Sequence, residues 1–206
     1  MKYYIDFDNT LFDTSKLTSA MLSMITEEIL KKHKSLCFDS IYSECVQMFN
    51  REHCYNIYEL ASYFADKYSL DLSVLVKNLN SIMLDISGFL YEDTIPFLKK
   101  LKADGHKLYL LSHAGENLKY QTVKISGSGI SDYFEALYIT SVPKYKLDIN
   151  YSDSIFIDDN PMDLLGLYSN KPAQVIRIRR KDNKYSSEDI NNSEIIEFPS
   201  LDKFEY

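Results

Sequence analysis

The sequence has no Trp, only three Cys in 206 residues, and neither a Pro-rich nor a Gly-rich stretch. Cys37, Cys45 and Cys54 form an odd set without C-x-x-C spacing, which argues against a disulfide framework and for a reducing, cytoplasmic setting. With His33 and His53 they match no standard zinc spacing. No apolar run approaches the ~20 residues that span a bilayer. An apolar strand begins within two residues of Met1, so no signal peptide is expected. Positive charge is also scarce. The 23 Lys and Arg face 30 Asp and Glu, a formal net charge of -7, which disfavours nucleic acid and anionic lipid as partners.

What is present is an ordinary globular composition, 45% hydrophobic and 26% charged, in a length that suits one full core domain plus a small insertion. The 17 Tyr and 11 Phe read as compositional bias and give the functional reading no direction.

Two patterns divide the chain. From Ser15 to about Ser87 the apolar spacing is helical throughout. Thr14 or Ser15 can cap a first helix bearing Leu17, Met21, Leu22, Ile25 and Ile29. Asp39, Asn56 and Asp71 can cap three more. Outside that block, helix and strand alternate. Strands are expected at Tyr3 to Phe7, Lys107 to Leu111, Ala136 to Thr140, Ser154 to Ile157 and Gln174 to Ile178, with a last short one at Ile195 to Phe198. Helices are expected where Pro96 opens and Gly105 closes one, at Glu116 to Ile125, and after Pro161. Such alternation implies an α/β fold, a doubly wound, mostly parallel sheet. Residues 1–14 and 88–206 are expected to form this core, and residues 15–87 an all-helical cap inserted in it. With no linker signal, the cap is not a separate bead. The polar stretch Lys181 to Ser193 is expected to be a mobile loop, and Arg177, Arg179 and Arg180 a solvated basic edge.

The chemistry-bearing residues sit at strand ends. Asp6 and Asp8, two apart, project to the same face where the first strand runs out. Ile155, Phe156 and Ile157 likewise run into Asp158 and Asp159, with Asp163 a turn later. Parallel strands present their carboxyl ends on one side, where open α/β sheets build ligand sites. Two unit charges about 4 Å apart repel by roughly 4 kcal/mol at an effective dielectric near 20. A convergent cluster of this kind demands a cation, and oxygen ligands without His or Cys point to Mg²⁺. As separate features, Asp6 and Asp8 could be turn residues, and Asp159 or Asn160 could cap the helix that Pro161 opens. Ser112, just past another strand, could hold a phosphate oxygen or serve as an N-cap. Lys144 could bring positive charge to the same side, though Lys146 is nearly as well placed. His113 could face a substrate or lie exposed in its loop.

Together these residues resemble a known family. Asp6-Phe7-Asp8-Asn9-Thr10 is similar to the D-x-D-x-T first motif of haloacid dehalogenase-like hydrolases, Ser112 to their second, Lys144 to their third, and Asp158-Asp159 with Asp163 to their acidic fourth, all in the family's order. The resemblance implies a Mg²⁺-dependent phosphohydrolase acting on a small phosphomonoester. Asp6 would be the nucleophile, forming an aspartyl-phosphate, and Asp8 the acid and then the base. Mg²⁺ would be held by the Asp6 carboxylate, the Asp8 carbonyl and Asp159 or Asp158. Ser112 and Lys144, with His113 beside them, would hold phosphoryl oxygens, and the cap would close over the site. Members that remove halide lack an acid at the position of Asp8. A phosphotransferase or mutase would carry the same residues. A phospho-accepting receiver would place its Asp on a middle strand with no helical insertion after the first. An inactive scaffold that binds a partner is the remaining alternative.

Overall fold

The computed structural model describes residues 1–51, 56–149, 151–181 and 183–204. The chain forms two compact units, Met1–Ser15 with Ser87–Tyr206, and Lys16–Ile86. Among the described residues no helix is long and apolar enough to cross a membrane.

The first unit is an α/β layer structure on six strands: β1 (Lys2–Ile5), β2 (Lys107–His113), β3 (Ala136–Thr140), β4 (Ser154–Asp158), β5 (Gln174–Ile178) and β6 (Ile196–Phe198). Their order is β3-β2-β1-β4-β5-β6, and every pairing is parallel. Parallel strands need crossovers, supplied by α5 (Thr94–Ala103), α6 (Leu118–Gly127) and α7 (Pro161–Tyr168). β1 to β3 are laid down in one direction across the sheet and β4 to β6 in the other. Right-handed crossovers then put helices on both faces, as in Rossmann-like folds. The expected fold class is the one found. β1 itself is the switch point, paired with β2 on one side and β4 on the other.

Burial on both faces explains why these strands read as unbroken apolar runs. Tyr4 lies opposite both Tyr109 and Phe156 in register, and its ring stacks on each at 5.0 Å between centroids. Tyr151 closes on this row edge-on, 4.8 Å from Phe156. Each such pair adds roughly 0.5–1.5 kcal/mol beyond area burial. Part of the Tyr excess is therefore a cross-strand ladder rather than compositional bias.

The α7 packing has one tight point. A Cβ on Gly166 would strike the Tyr145 ring near its root, where the side chain cannot easily give way. We expect Gly166→Ala to lose roughly 1–3 kcal/mol through overpacking, seen in urea as a lower midpoint with unchanged slope.

The second unit packs helix on helix: α1 (Thr14–Lys32, which starts in the first unit), α2 (Phe38–Arg51), α3 (Ile57–Tyr68) and α4 (Leu72–Leu84). Leu17, Met21, Leu22, Ile25 and Ile29 form the buried stripe of α1. Asn56 and Asp71 cap α3 and α4 through side-chain bonds to Tyr58 N and Ser73 N. Asp39 instead sits inside the first turn of α2, favourable there to the helix dipole. Cys45 is buried with the Thr26 hydroxyl 3.7 Å from its sulfur, and burial pushes its thiol up to about 11. That environment makes an inert core residue. His53 and Cys54 lie outside the described residues.

Candidate active site

The register of the sheet levels the carboxyl ends of its central strands. Ile5 faces Leu110 on β2 and Ile157 on β4, so Asp6, Ser112 and Asp158 all emerge at one edge. The Asp6 amide donates to the Ile157 carbonyl at 2.8 Å, tying the two acidic tips together. Carboxylate oxygens of Asp6, Asp158 and Asp159 all lie within 4.8 Å of one another, and all three residues are buried.

Lys144 offsets part of this charge. Lys144 is buried, and its ammonium donates to Asp6 Oδ1 at 2.6 Å and Asp158 Oδ2 at 2.7 Å, with Asp163 Oδ2 at 3.9 Å. Burial works to lower the lysine's pKa, but Asp158, Asp6 and Asp163 outweigh it and hold the ammonium charged. Lys146 is exposed. Four carboxylates around one ammonium leave excess negative charge. Burial, with the charges of Asp158 and Asp8, pushes Asp6 up to about 8 against the pull of Lys144. Burial and the neighbouring Asp6 and Asp158 likewise raise Asp159 well above the usual carboxylate range.

The β4 to α7 turn keeps its own bonds beside the cluster. Asn160 N donates to Asp158 Oδ1 at 3.0 Å, while Asn160 Oδ1 caps α7 by accepting from Met162 N at 3.0 Å. Its amide also donates to Asp163 Oδ2 at 3.2 Å. Capping and clustering of carboxylates coexist in this turn.

Asp8 points elsewhere. It is not among the converging carboxylates, and its side chain is held by Thr14 and Lys124 at Oδ1 and by Gln121 at Oδ2, 2.5 Å away. Partial burial works to raise its pKa, but Lys124 and the three hydrogen bonds prevail, keeping it below the usual carboxylate range. The Gln121 amide also donates to Ser112 Oγ at 2.8 Å, and Ser112 is buried. His113 is exposed at the end of β2.

Two expectations about the C-terminal region are overturned. Arg177 is fully buried rather than a solvated edge residue. It donates to the carbonyls of Asp159 (3.3 Å), Tyr185 (2.7 Å) and Glu188 (2.7 Å) and pairs with Glu197 at 3.0 Å. Arg180 is also buried. It forks onto Asp93 at 2.7 and 2.8 Å, reaches the Thr10 carbonyl at 2.8 Å and lies 3.9 Å over the Tyr91 ring. The tail after β5 is consequently pinned, not loose. Its Asn183 is buried and donates to Asp159 Oδ2 at 3.0 Å. A guanidinium with five donors can fasten irregular chain whose carbonyls have no ladder partner.

Gln121, Lys124 and Asn183 carried no motif in the sequence. Gln121 and Lys124 are one turn apart on α6, a spacing that puts both on one face. The apolar pattern of α6 marks that face only weakly: Ile125, one turn after Gln121, is buried with it, but Leu118, one turn before it, is exposed, as is Val123.

The donor set fits a hard divalent cation. Three buried carboxylates supply oxygens without His or Cys, and their mutual repulsion exceeds what Lys144 offsets.

Comparison with known proteins agrees with this architecture. The family model of haloacid dehalogenase-like hydrolases matches residues 4–168. No curated protein matches the chain. Among solved structures, a HAD phosphatase from Thermococcus onnurineus is 19% identical with a TM-score of 0.62, the alignment covering 98% of this chain and 95% of that one. A Burkholderia xenovorans protein named only for its likeness to haloacid dehalogenase hydrolases is 15% identical with a TM-score of 0.70, over 97% and 92%. L-2-haloacid dehalogenase from Xanthobacter autotrophicus is 14% identical with a TM-score of 0.54, over 97% and 94%. At such identities the likeness is one of fold, shared by phosphate and halide chemistry alike. The match over residues 4–168, together with the acidic tips of β1 and β4 brought to one edge, establishes that the chain belongs to the haloacid dehalogenase-like hydrolases.

Proposed function

We propose that this hydrolase is a Mg²⁺-dependent phosphatase of small phosphomonoesters. The observation that carries the reading is the pair on the first loop. Asp6 lies in the acidic cluster against Lys144, while Asp8 is present at the second position and held apart from the cluster. A dehalogenase has no leaving oxygen to protonate and no use for an acid there.

In this reading a carboxylate oxygen of Asp6 attacks phosphorus as the bond to the leaving alcohol breaks. Asp8, which its donors keep ionised in the free protein, takes up a proton from the arriving phosphate monoanion and passes it to the departing oxygen. The aspartyl-phosphate on Asp6 is then opened by water, whose proton passes to the Asp8 carboxylate, and inorganic phosphate leaves. Lys144 and Ser112 hold the transferred phosphoryl oxygens, with His113 at the rim. Mg²⁺, held by Asp6, the Asp8 carbonyl and Asp158 or Asp159, would offset the negative charge that gathers as a phosphate approaches these carboxylates. We assign substrate choice to the helical unit inserted after this first loop.

The test uses p-nitrophenyl phosphate and the purified chain. Phosphate release should require Mg²⁺ and fall at least 100-fold in EDTA. Independently of turnover, Mg²⁺ at about 100 times its dissociation constant should stabilise the α/β unit by ~2.7 kcal/mol. For a chain of this size that raises the melting temperature by roughly 5–10 °C. Absence of both effects would refute the metal assignment. An isomerised substrate in place of free phosphate would make the protein a mutase.

A further inference from the structure

We infer that Lys124, with Gln121, is a positioning residue for Asp8 that works through α6. The inference rests on the acid role proposed for Asp8 and deepens it.

Three features separate Lys124 from a structural lysine. Its side chain is only 5% exposed, so it does not solvate itself at the surface. Its ammonium makes an ion pair with Asp8 Oδ1 while lying 5.5 Å from the ring centroids of Phe7 and Phe12 and 5.8 Å from that of Tyr120. Burying an ammonium is costly unless it is paired, and Asp8 is the carboxylate it meets. Gln121, one turn before it, is buried as well and joins Asp8 Oδ2 to Ser112 Oγ.

Thr14 completes the arrangement from the start of α1. The Asp8 carboxylate thus has both oxygens directed by donors from two elements, and one donor is shared with the proposed phosphate-holding serine. Such a cradle fixes where Asp8 sits relative to a phosphoryl group whose oxygen is held by Ser112. Small errors in that placement are enough to lose orders of magnitude in rate. Of the groups proposed to react, Lys124 bonds to Asp8 and its effect passes through that carboxyl.

The signature is a dependence on the leaving group. Phenyl phosphate leaves poorly unless its oxygen is protonated, whereas 2,4-dinitrophenyl phosphate departs as a stable phenolate. We would compare kcat/KM for both substrates in wild type, Asp8→Asn, Lys124→Met, Lys124→Arg and Gln121→Met, all with saturating Mg²⁺. Acid catalysis contributes roughly 10² to 10⁴-fold. Asp8→Asn should lose most of that on phenyl phosphate and little on the dinitrophenyl ester. Lys124→Met should show the same selectivity at roughly 10- to 100-fold, with Lys124→Arg recovering part of it.

Gln121→Met, which leaves the buried lysine in place, should show a smaller loss of the same selectivity and decides the matter if Lys124→Met does not fold. If Asp8→Asn is selective but the Lys124 and Gln121 variants slow both substrates equally, or neither, the positioning role is wrong and the acid role of Asp8 stands. If Asp8→Asn itself shows no selectivity, the acid role fails and the inference falls with it.

Discussion

Replacing Asp6 by Asn is expected to abolish phosphate release while making the metal-free protein harder to melt. The first effect follows from the proposed nucleophile. An amide oxygen does not form the covalent intermediate, and losses on removing a nucleophile run to roughly 10⁴-fold or more. The second follows from charge. Asp6 shares a buried edge with Asp158 and Asp159, and Lys144 alone does not balance them. Asn needs neither a buried charge nor a proton taken up on folding, and Lys144 keeps its bond to Asp158 at 2.7 Å. We expect a gain of about 1 kcal/mol, the usual scale when a destabilised functional group is neutralised.

The pH dependence sharpens the same test. Burial and its acidic neighbours push Asp6 from an ordinary value of 3.8 up to about 8. Between those values the unfolded chain has lost this proton and the folded chain keeps it. The contribution of Asp6 therefore lowers stability as pH rises from about 4 to about 8. Urea titrations in EDTA should show this decline in the wild type and a shallower one in Asp6→Asn. Equal slopes, or wild-type turnover in the variant, would contradict the account.

Replacing Lys144 by Met should have the opposite effect on stability and the largest of any single change in the site. Its ammonium is buried and faces Asp6, Asp158 and Asp163. Removing one partner of a buried pair leaves uncompensated charge at a cost of about 3–5 kcal/mol, a large share of the roughly 5–15 kcal/mol that stabilises a typical fold. Excess Mg²⁺ should recover part of the loss, because a divalent cation among the same carboxylates takes over some of the compensation. Lys146→Met, at an exposed position on the same loop, should stay within about 0.5 kcal/mol of wild type. Chemical unfolding of both variants, with and without Mg²⁺, reads the difference. A Lys144→Met protein as stable as the wild type in EDTA would mean that the cluster is largely protonated and needs no cation.

Several site positions were legible because strand ends leave local marks. The run Tyr3 to Ile5 stops at Asp6, and the run Ile155 to Ile157 stops at Asp158; parallel strands must then present both tips on one side. The competition between Lys144 and Lys146 was not legible. Both are lysines on one short loop, and only the backbone path after β3 buries one and exposes the other. The Arg177 to Arg180 run misled for a related reason. A basic cluster beside a polar stretch reads as solvated, yet Arg177 is the post to which the carbonyls of Tyr185 and Glu188 are tied. Pro96 was the sequence signal for the start of α5; the helix begins at Thr94, and the carboxylate of the preceding Asp93 bonds to Arg180 and the Leu201 amide instead of capping it.

By itself the sequence determined the alternation of strand and helix, the apolar interiors of the strands and the acidic residues at their ends. These follow from periodicity and from the abrupt change of polarity where a buried strand reaches solvent, both of which are written within a few residues. Tertiary structure decided which distant donors meet those carboxylates. Lys124 reaches Asp8 across 116 positions and Asn183 reaches Asp159 across 24. Their place depends on how α6 is rotated against the sheet and on where the tail after β5 is fastened. Rotation and fastening are set by the sum of packing and pairing over the whole core, and no local stretch of sequence encodes that sum.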